Sequence, residues 1–94
     1  MTVLTITRHD DDGRGEYRAD VDGAVAKLTY MRRGETVVAD YTYVPPHLRG
    51  RDVALQLVQR LVDDARAEGT RIVPTCGYIS AAMRRHPDWD ALRA

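Results

Sequence analysis

The chain holds a single cysteine, Cys76, in 94 residues. That excludes an intramolecular disulfide and any metal site assembled from several cysteines of one chain. It has no surplus of charge either: 14 basic and 14 acidic side chains give a formal net charge of zero. A dedicated nucleic-acid binder rests its affinity on a basic face, whereas the arginines here are scattered along the chain. No stretch approaches the roughly 20 apolar residues that span a bilayer. The opening residues, Met1 to Arg8, lack the basic segment and long apolar run of a signal peptide. With its free thiol, the chain is expected to be a soluble protein of the reducing cytoplasm, with neither nucleic acid nor membrane among its partners. A hydrophobic content of 44% and 30% charged residues suit one globular domain over residues 1–94.

Periodicity divides that domain in two. Residues 2–8 alternate and read as a strand, followed by a turn at Asp10-Asp11-Asp12-Gly13. Three successive aspartates suggest calcium, but the other ligands of a calcium loop are missing, including a glutamate at its twelfth position, so a solvated turn is expected. Glu16–Val21 alternates up to Asp22-Gly23, a tight-turn dipeptide. A third strand, Ala24–Met31, stops at Arg33-Gly34, and a fourth runs from Glu35 to Val44, rich in β-branched and aromatic residues. After Pro45-Pro46 the period changes. Ala54, Leu57, Val58, Leu61, Val62 and Ala65 share one helical face, and Gly69 supplies a stop. Arg71–Pro74 is a short strand, with Pro74 at its end or on an edge, and residues 78–85 a short helix closed by His86-Pro87. Strand, helix and strand in succession imply a parallel pair joined by a right-handed crossover. The fold class is therefore α+β: an antiparallel β-meander, then a β-α-β unit with one parallel strand pair and a short C-terminal helix.

The junction between the fourth strand and the main helix, Val44-Pro45-Pro46-His47-Leu48-Arg49-Gly50-Arg51-Asp52-Val53-Ala54, is the chemically informative segment. The first N–H groups of a helix lack internal acceptors and sit at the positive end of its dipole, which suits a phosphate. Two arginines in the same turn add forked donors. The alternative is a solvated connecting loop.

This loop, the later Ile72-Val73-Pro74-Thr75-Cys76-Gly77-Tyr78 and the following Arg84-Arg85-His86-Pro87 together resemble a small GNAT-type N-acetyltransferase family, the short single-domain branch of the GNAT superfamily. The resemblance covers about residues 15–90. It implies a pantetheine channel where the fourth and fifth strands splay apart. It also implies that the pyrophosphate of acetyl-CoA, as cosubstrate, sits on the backbone of Arg49, Gly50, Arg51, Asp52, Val53 and Ala54. Near the thioester it implies Cys76, in a catalytic or acyl-accepting role, and Tyr78, as proton donor to the departing thiolate. The structural alternatives are a buried thiol and a packing tyrosine. His86 is a candidate for proton transfer but also reads as a helix stop, and Trp89 as an anchor for the C-terminal segment.

Two departures from the family stand out, one in the loop, where the superfamily pattern is Q/R-x-x-G-x-G/A, and one on the fourth strand. Asp52 occupies the central glycine, where it is expected to cap the helix and compete with a diphosphate for the same N–H groups. Tyr41-Thr42-Tyr43 replaces a His-Thr-Glu-like stretch that carries a proton acceptor; the two tyrosines read as sheet residues, one on each face. Two functions follow: transfer of an acetyl group from acetyl-CoA to an amine acceptor, small molecule or protein, or a non-catalytic domain binding CoA weakly or a protein partner.

Overall fold

Alternation builds the sheet. In the computed structural model, which describes residues 4–94, β2 (Arg14–Val21) buries Tyr17 and Ala19 while exposing Arg18 and Asp20, and β3 (Ala24–Arg33) buries Ala26, Leu28 and Tyr30. With β1 (Ile6–Asp11), β4 (Thr36–Tyr43) and β5 (Arg71–Pro74) they form a five-stranded sheet in the order β1-β2-β3-β4-β5. The first three pairings are antiparallel and β4–β5 is parallel. The expected α+β meander with one parallel pair is thus the observed one.

Asp22 and Gly23 both take positive φ, 51° and 81°, as a two-residue hairpin turn requires. The same geometry at Asp12 and Gly13, φ 50° and 82°, corrects the expected four-residue turn. A two-residue loop needs pairing right up to its edge, so Asp11 lies opposite Arg14 and both Asp10 and Asp11 belong to β1. The strand expected at residues 2–8 consequently lies further along the chain; residues 2 and 3 are outside the described residues.

One face of the sheet is covered. Helix α1 (Val53–Glu68) lies across β2, β3 and β4, burying Val53, Leu57, Val58, Leu61, Val62 and Ala65. The directly opposed Ala19 and Ala26, both fully buried, provide a low floor for it. Burying one Leu or Val side chain contributes about 1.5–3 kcal/mol, so this stripe supplies most of the drive for docking the helix. The helix ends at Gly69 in a left-handed conformation, its N–H bonded to the Ala65 carbonyl. Helix α2 (Gly77–Arg85) packs on β4, β5 and α1 through Ile79, Ala82 and Met83. Helix α2 closes at His86-Pro87 as expected, and a further turn follows. Proline is tolerated in the first turn of a helix, and a short α3 (Pro87–Asp90) buries Trp89, whose ring stacks on His86 at 3.9 Å.

A polar clamp fastens the far end of α1 to the sheet. Arg8 of β1 bonds Asp64 at 3.2 Å, pairs with Glu68, and donates to the Tyr30 hydroxyl at 2.9 Å. Its guanidinium lies 5.7 Å and 5.6 Å from the rings of Tyr17 and Tyr30. Tyr17 donates to Asp64 at 2.9 Å, and Tyr30 donates to Asp10. Gly15 faces Tyr30 across the β2–β3 ladder, and any Cβ there would run into that ring.

Burial, reinforced by the Asp64 acceptor, pushes the Tyr17 phenol far above its ordinary range. Burial and then the Asp10 acceptor push Tyr30 up to about 12. An unfolded tyrosine ionises near about 10, so between about 10 and 12 the native state keeps protons that the unfolded chain has lost. The stability they contribute is complete below that window and falls as pH rises through it. Urea midpoints measured against pH should hold level up to about 10 and then drop, and Tyr17→Phe should make the drop shallower.

Candidate functional site

The site begins with one extra residue in β4. Tyr30 pairs with Ala39 but the next residue back, Thr29, pairs with Tyr41, leaving Asp40 unopposed in a β-bulge. Before the bulge Val37 and Ala39 face the helices; after it Thr42 does, opposite the buried Leu28. Tyr41 and Tyr43 therefore both stand on the open face of the sheet, 47% and 38% exposed. This corrects the expectation of one on each face: residues two apart in a strand share a face, and the bulge decides which.

Ala39 is also where β4 and β5 part. It pairs with Pro74, the last residue of β5, and its carbonyl accepts from the N–H of Thr75 at 3.0 Å and of Cys76 at 3.2 Å. Proline has no N–H to extend the ladder, and the chain turns into α2. Beyond this point β4 runs on to Tyr43 without β5 beside it.

A cavity of about 440 Å³ lies at this end of β4. Thr42, Tyr43 and Val44 form one wall; Leu48, Arg49 and Gly50 of the connecting loop, then Asp52, Val53 and Ala54 at the start of α1, form another; Tyr78 of α2 closes the third. The loop opens with a 3-10 turn, Pro46–Leu48, anchored by the fully buried Leu48. Arg49 Nε donates to the Val44 carbonyl at 3.1 Å, which ties the loop's exit to its entrance. Gly50 has φ 83°, a conformation that favours glycine.

Asp52 holds the N-cap position of α1, yet its side chain does not cap. The backbone is left-handed, φ 60° and ψ 19°, which aspartate tolerates better than most residues. A capping carboxylate needs an extended backbone to reach back to the second or third helical N–H. The expected cap is therefore absent, and the exposed carboxylate borders the cavity. Among the described residues, the N–H groups of Val53, Ala54 and Leu55 meet no protein acceptor.

Cys76 lies beside the cavity, at the N-cap of α2, half-buried, with its sulfur 3.5 Å from the Thr42 hydroxyl. Burial pushes its thiol up, but the Thr42 hydroxyl and the N–H groups of Ile79, Tyr78 and Thr42 together leave it below the ordinary value. The pull of the helical N–H groups is electrostatic, since the sulfur makes no full capping hydrogen bond. Burial raises the Tyr78 phenol, the nearby Arg85 opposes this and Asp52 adds to it, so Tyr78 stays protonated at neutral pH.

Of the sequence-derived site residues, Arg49, Gly50, Asp52, Val53, Ala54 and Tyr78 share one cavity and Cys76 adjoins it through Thr42; Arg51 is exposed outside the lining. His86 bonds the Ala82 carbonyl at 2.8 Å and stays with Trp89. Thr42 was not legible, because only the bulge turns it inward. Among the described residues no group of His, Cys, Asp or Glu could hold a metal ion, and no helix is long and apolar enough to cross a membrane.

A sheet splayed beside a helix N-terminus, with a basic glycine-bearing loop between them, is the architecture of the acetyltransferase-type α+β folds. The chain belongs to the GCN5-related N-acetyl-transferase family, whose model matches residues 16–92. Its fold is similar to that of a GCN5-like candidate N-acetyltransferase from Staphylococcus aureus solved by solution NMR, with a TM-score of 0.71 and 21% identity, over 100% of this chain and 91% of that one.

The Cys76 thiol should react with iodoacetamide along a pH curve whose midpoint lies below that of a free thiol. Thr42→Val removes a hydrogen bond to the thiolate of about 1 kcal/mol, so labelling at neutral pH should slow about fivefold. Equal rates in both proteins would mean that Thr42 does not tune the sulfur.

Proposed function

We propose that this chain is an acetyl-CoA-dependent N-acetyltransferase that transfers the acetyl group directly to an amine. The observation that carries the reading is the single cavity joining the unsatisfied N–H groups of α1 to the Thr42–Cys76–Tyr78 cluster along the unpaired end of β4. The diphosphate meets Arg49, Gly50, Val53 and Ala54, where helix dipole and guanidinium both favour negative charge. The pantetheine arm follows β4, and the thioester ends beside Thr42 and Cys76. Tyr78, held protonated, donates to the leaving sulfur. Asp40, on the open face at the bulge, is the carboxylate on β4 suited to take the proton shed by the amine. Its Oδ1 already accepts from Thr29 at 2.7 Å, which fixes its orientation. Asp40→Asn keeps that bond and should lower kcat/KM by about 100-fold, read by thiol release.

Asp52 fits the donor poorly, because its carboxylate borders the cavity where the diphosphate would lie. That observation favours the second reading, a non-catalytic domain that binds CoA weakly or binds a protein partner. A ligand that binds only the folded state raises its melting temperature, so a thermal shift with CoA separates the two. Amide shifts in an NMR titration should cluster at residues 49–55, and Arg49→Ala should weaken binding.

Asp52→Gly should tighten CoA by about 1–2 kcal/mol, the effect of removing one like charge near a partly solvated diphosphate. It should not lower stability, since no capping bond is lost and glycine suits the positive φ. Asp52→Asn, neutral and tolerant of the same backbone, should recover part of the gain. Affinity that falls or stays level in both variants would clear Asp52 of any obstruction.

A further inference from the structure

The open face of the sheet carries a second depression, of about 300 Å³, lined by Glu16, Arg18, Val25, Lys27 and Tyr43. Strand register makes these neighbours: Arg18 lies opposite Lys27, and Lys27 opposite Tyr43. Tyr43 borders both this depression and the donor cavity, so the two meet at the end of β4. Their charges do not cancel. Glu16 pairs with Arg18 at 3.2 Å, and Lys27 has no carboxylate partner among the described residues. The adjacent row across the face runs Glu16, Thr29, Tyr41 and reaches Asp40, whose second oxygen makes no bond among the described residues. An unbalanced cation at Lys27 and an anion at Asp40 thus lie on neighbouring rows. Two residues along a strand span about 7 Å. The exposed ring of Tyr41 stands beside the anion, where it can face an ammonium.

We propose that the amine acceptor binds on this open face and is an ω-amino acid, its amine at Asp40 and Tyr41 and its carboxylate on Lys27. The inference rests on the acetyltransferase reading and adds the substrate class. The amine nitrogen bonds to the thioester carbonyl carbon, the carbon–sulfur bond breaks, and the product is an amide. The bound ammonium first gives one proton to Asp40, which passes it to solvent and so frees the lone pair for attack. The second proton, shed after attack, follows the same route, while Tyr78 supplies one to the thiolate and regains it from solvent. The acceptor's carboxylate takes no part in the chemistry; it orients the chain so that the free amine reaches the splay.

Three probes of one chain length test it on the full chain with acetyl-CoA: ε-aminocaproate, pentylamine, which lacks the carboxylate, and cadaverine, which replaces it with a cation. We expect kcat/KM for ε-aminocaproate to exceed that for pentylamine at least tenfold. Lys27→Gln should bring that ratio close to one, and Lys27→Glu should move the preference to cadaverine. Arg33→Gln, which removes a cation elsewhere on β3, should leave the ratio as it was. A ratio near one in the unaltered protein, or one that Lys27→Gln leaves intact, overturns the assignment. A parallel NMR titration with ε-aminocaproate reads the site without turnover. Saturable shifts at residues 27, 29, 41 and 43 with no acetylation of any probe would sink the acetyltransferase reading and support the anion site. Shifts absent from these residues would sink the site.

Discussion

A single surplus residue in β4 shapes the end of the sheet that holds the candidate site. Asp40 has no partner across the ladder, so the strand twists and its inward and outward positions exchange. Thr42 then faces the helices beside Cys76, while Tyr41 and Tyr43 face the open side. Without the bulge the alternation set by Val37 and Ala39 would send both tyrosines under the helices, filling the space that the cavity occupies. The end of β5 at Pro74 is the second half of the same arrangement. One strand turns while its neighbour stops, and the gap between them is the candidate site.

The start of α1 shows two demands on one backbone. The loop must carry the chain from β4 to the helix in a few residues, and it does so with left-handed conformations at Gly50 and Asp52. Those conformations leave the first helical N–H groups open rather than capped. For the helix alone this is a loss, because a good N-cap contributes about 1 kcal/mol. For binding an anion it is the enabling condition, since a capped terminus has no donors to offer. Aspartate at position 52 preserves the backbone geometry of a glycine while adding the charge a glycine lacks. The same residue therefore supports the shape of the site and weakens its field.

The remainder of the molecule holds these parts still. The apolar stripe of α1 lies against a floor of small and aromatic side chains, and the Arg8 clamp joins its far end to β1, β2 and β3. The near end, where the N–H groups open, is held by the loop, by the buried Leu48 and Val53, and by the Leu4 N–H, which donates to Gln56 Oε1 at 3.2 Å. Rigidity at one end and an open terminus at the other suit the binding role proposed for the first turn.

Much of this was already written in the chain. The hairpin dipeptide Asp22-Gly23, the apolar face from Leu57 to Ala65, Gly69 as stop and Pro74 at an edge are local signals. Each depends on residues a few positions apart, and each appears in the structure where expected. The resemblance in the Arg49–Ala54 loop and around Cys76 was equally a matter of adjacent residues, and it led to the right family. What the sequence could not disclose depends on pairing between distant segments. The bulge exists only because β3 and β4 align as they do, so the facing of Thr42, Tyr41 and Tyr43 is a property of the ladder and not of the strand. Asp52 is a good cap by residue type. Its side chain caps nothing because the path imposed by both ends of the loop holds it left-handed. Local chemistry set the elements, and tertiary pairing decided which side chains they present to one another, since a shift of one residue in a strand reverses every face beyond it.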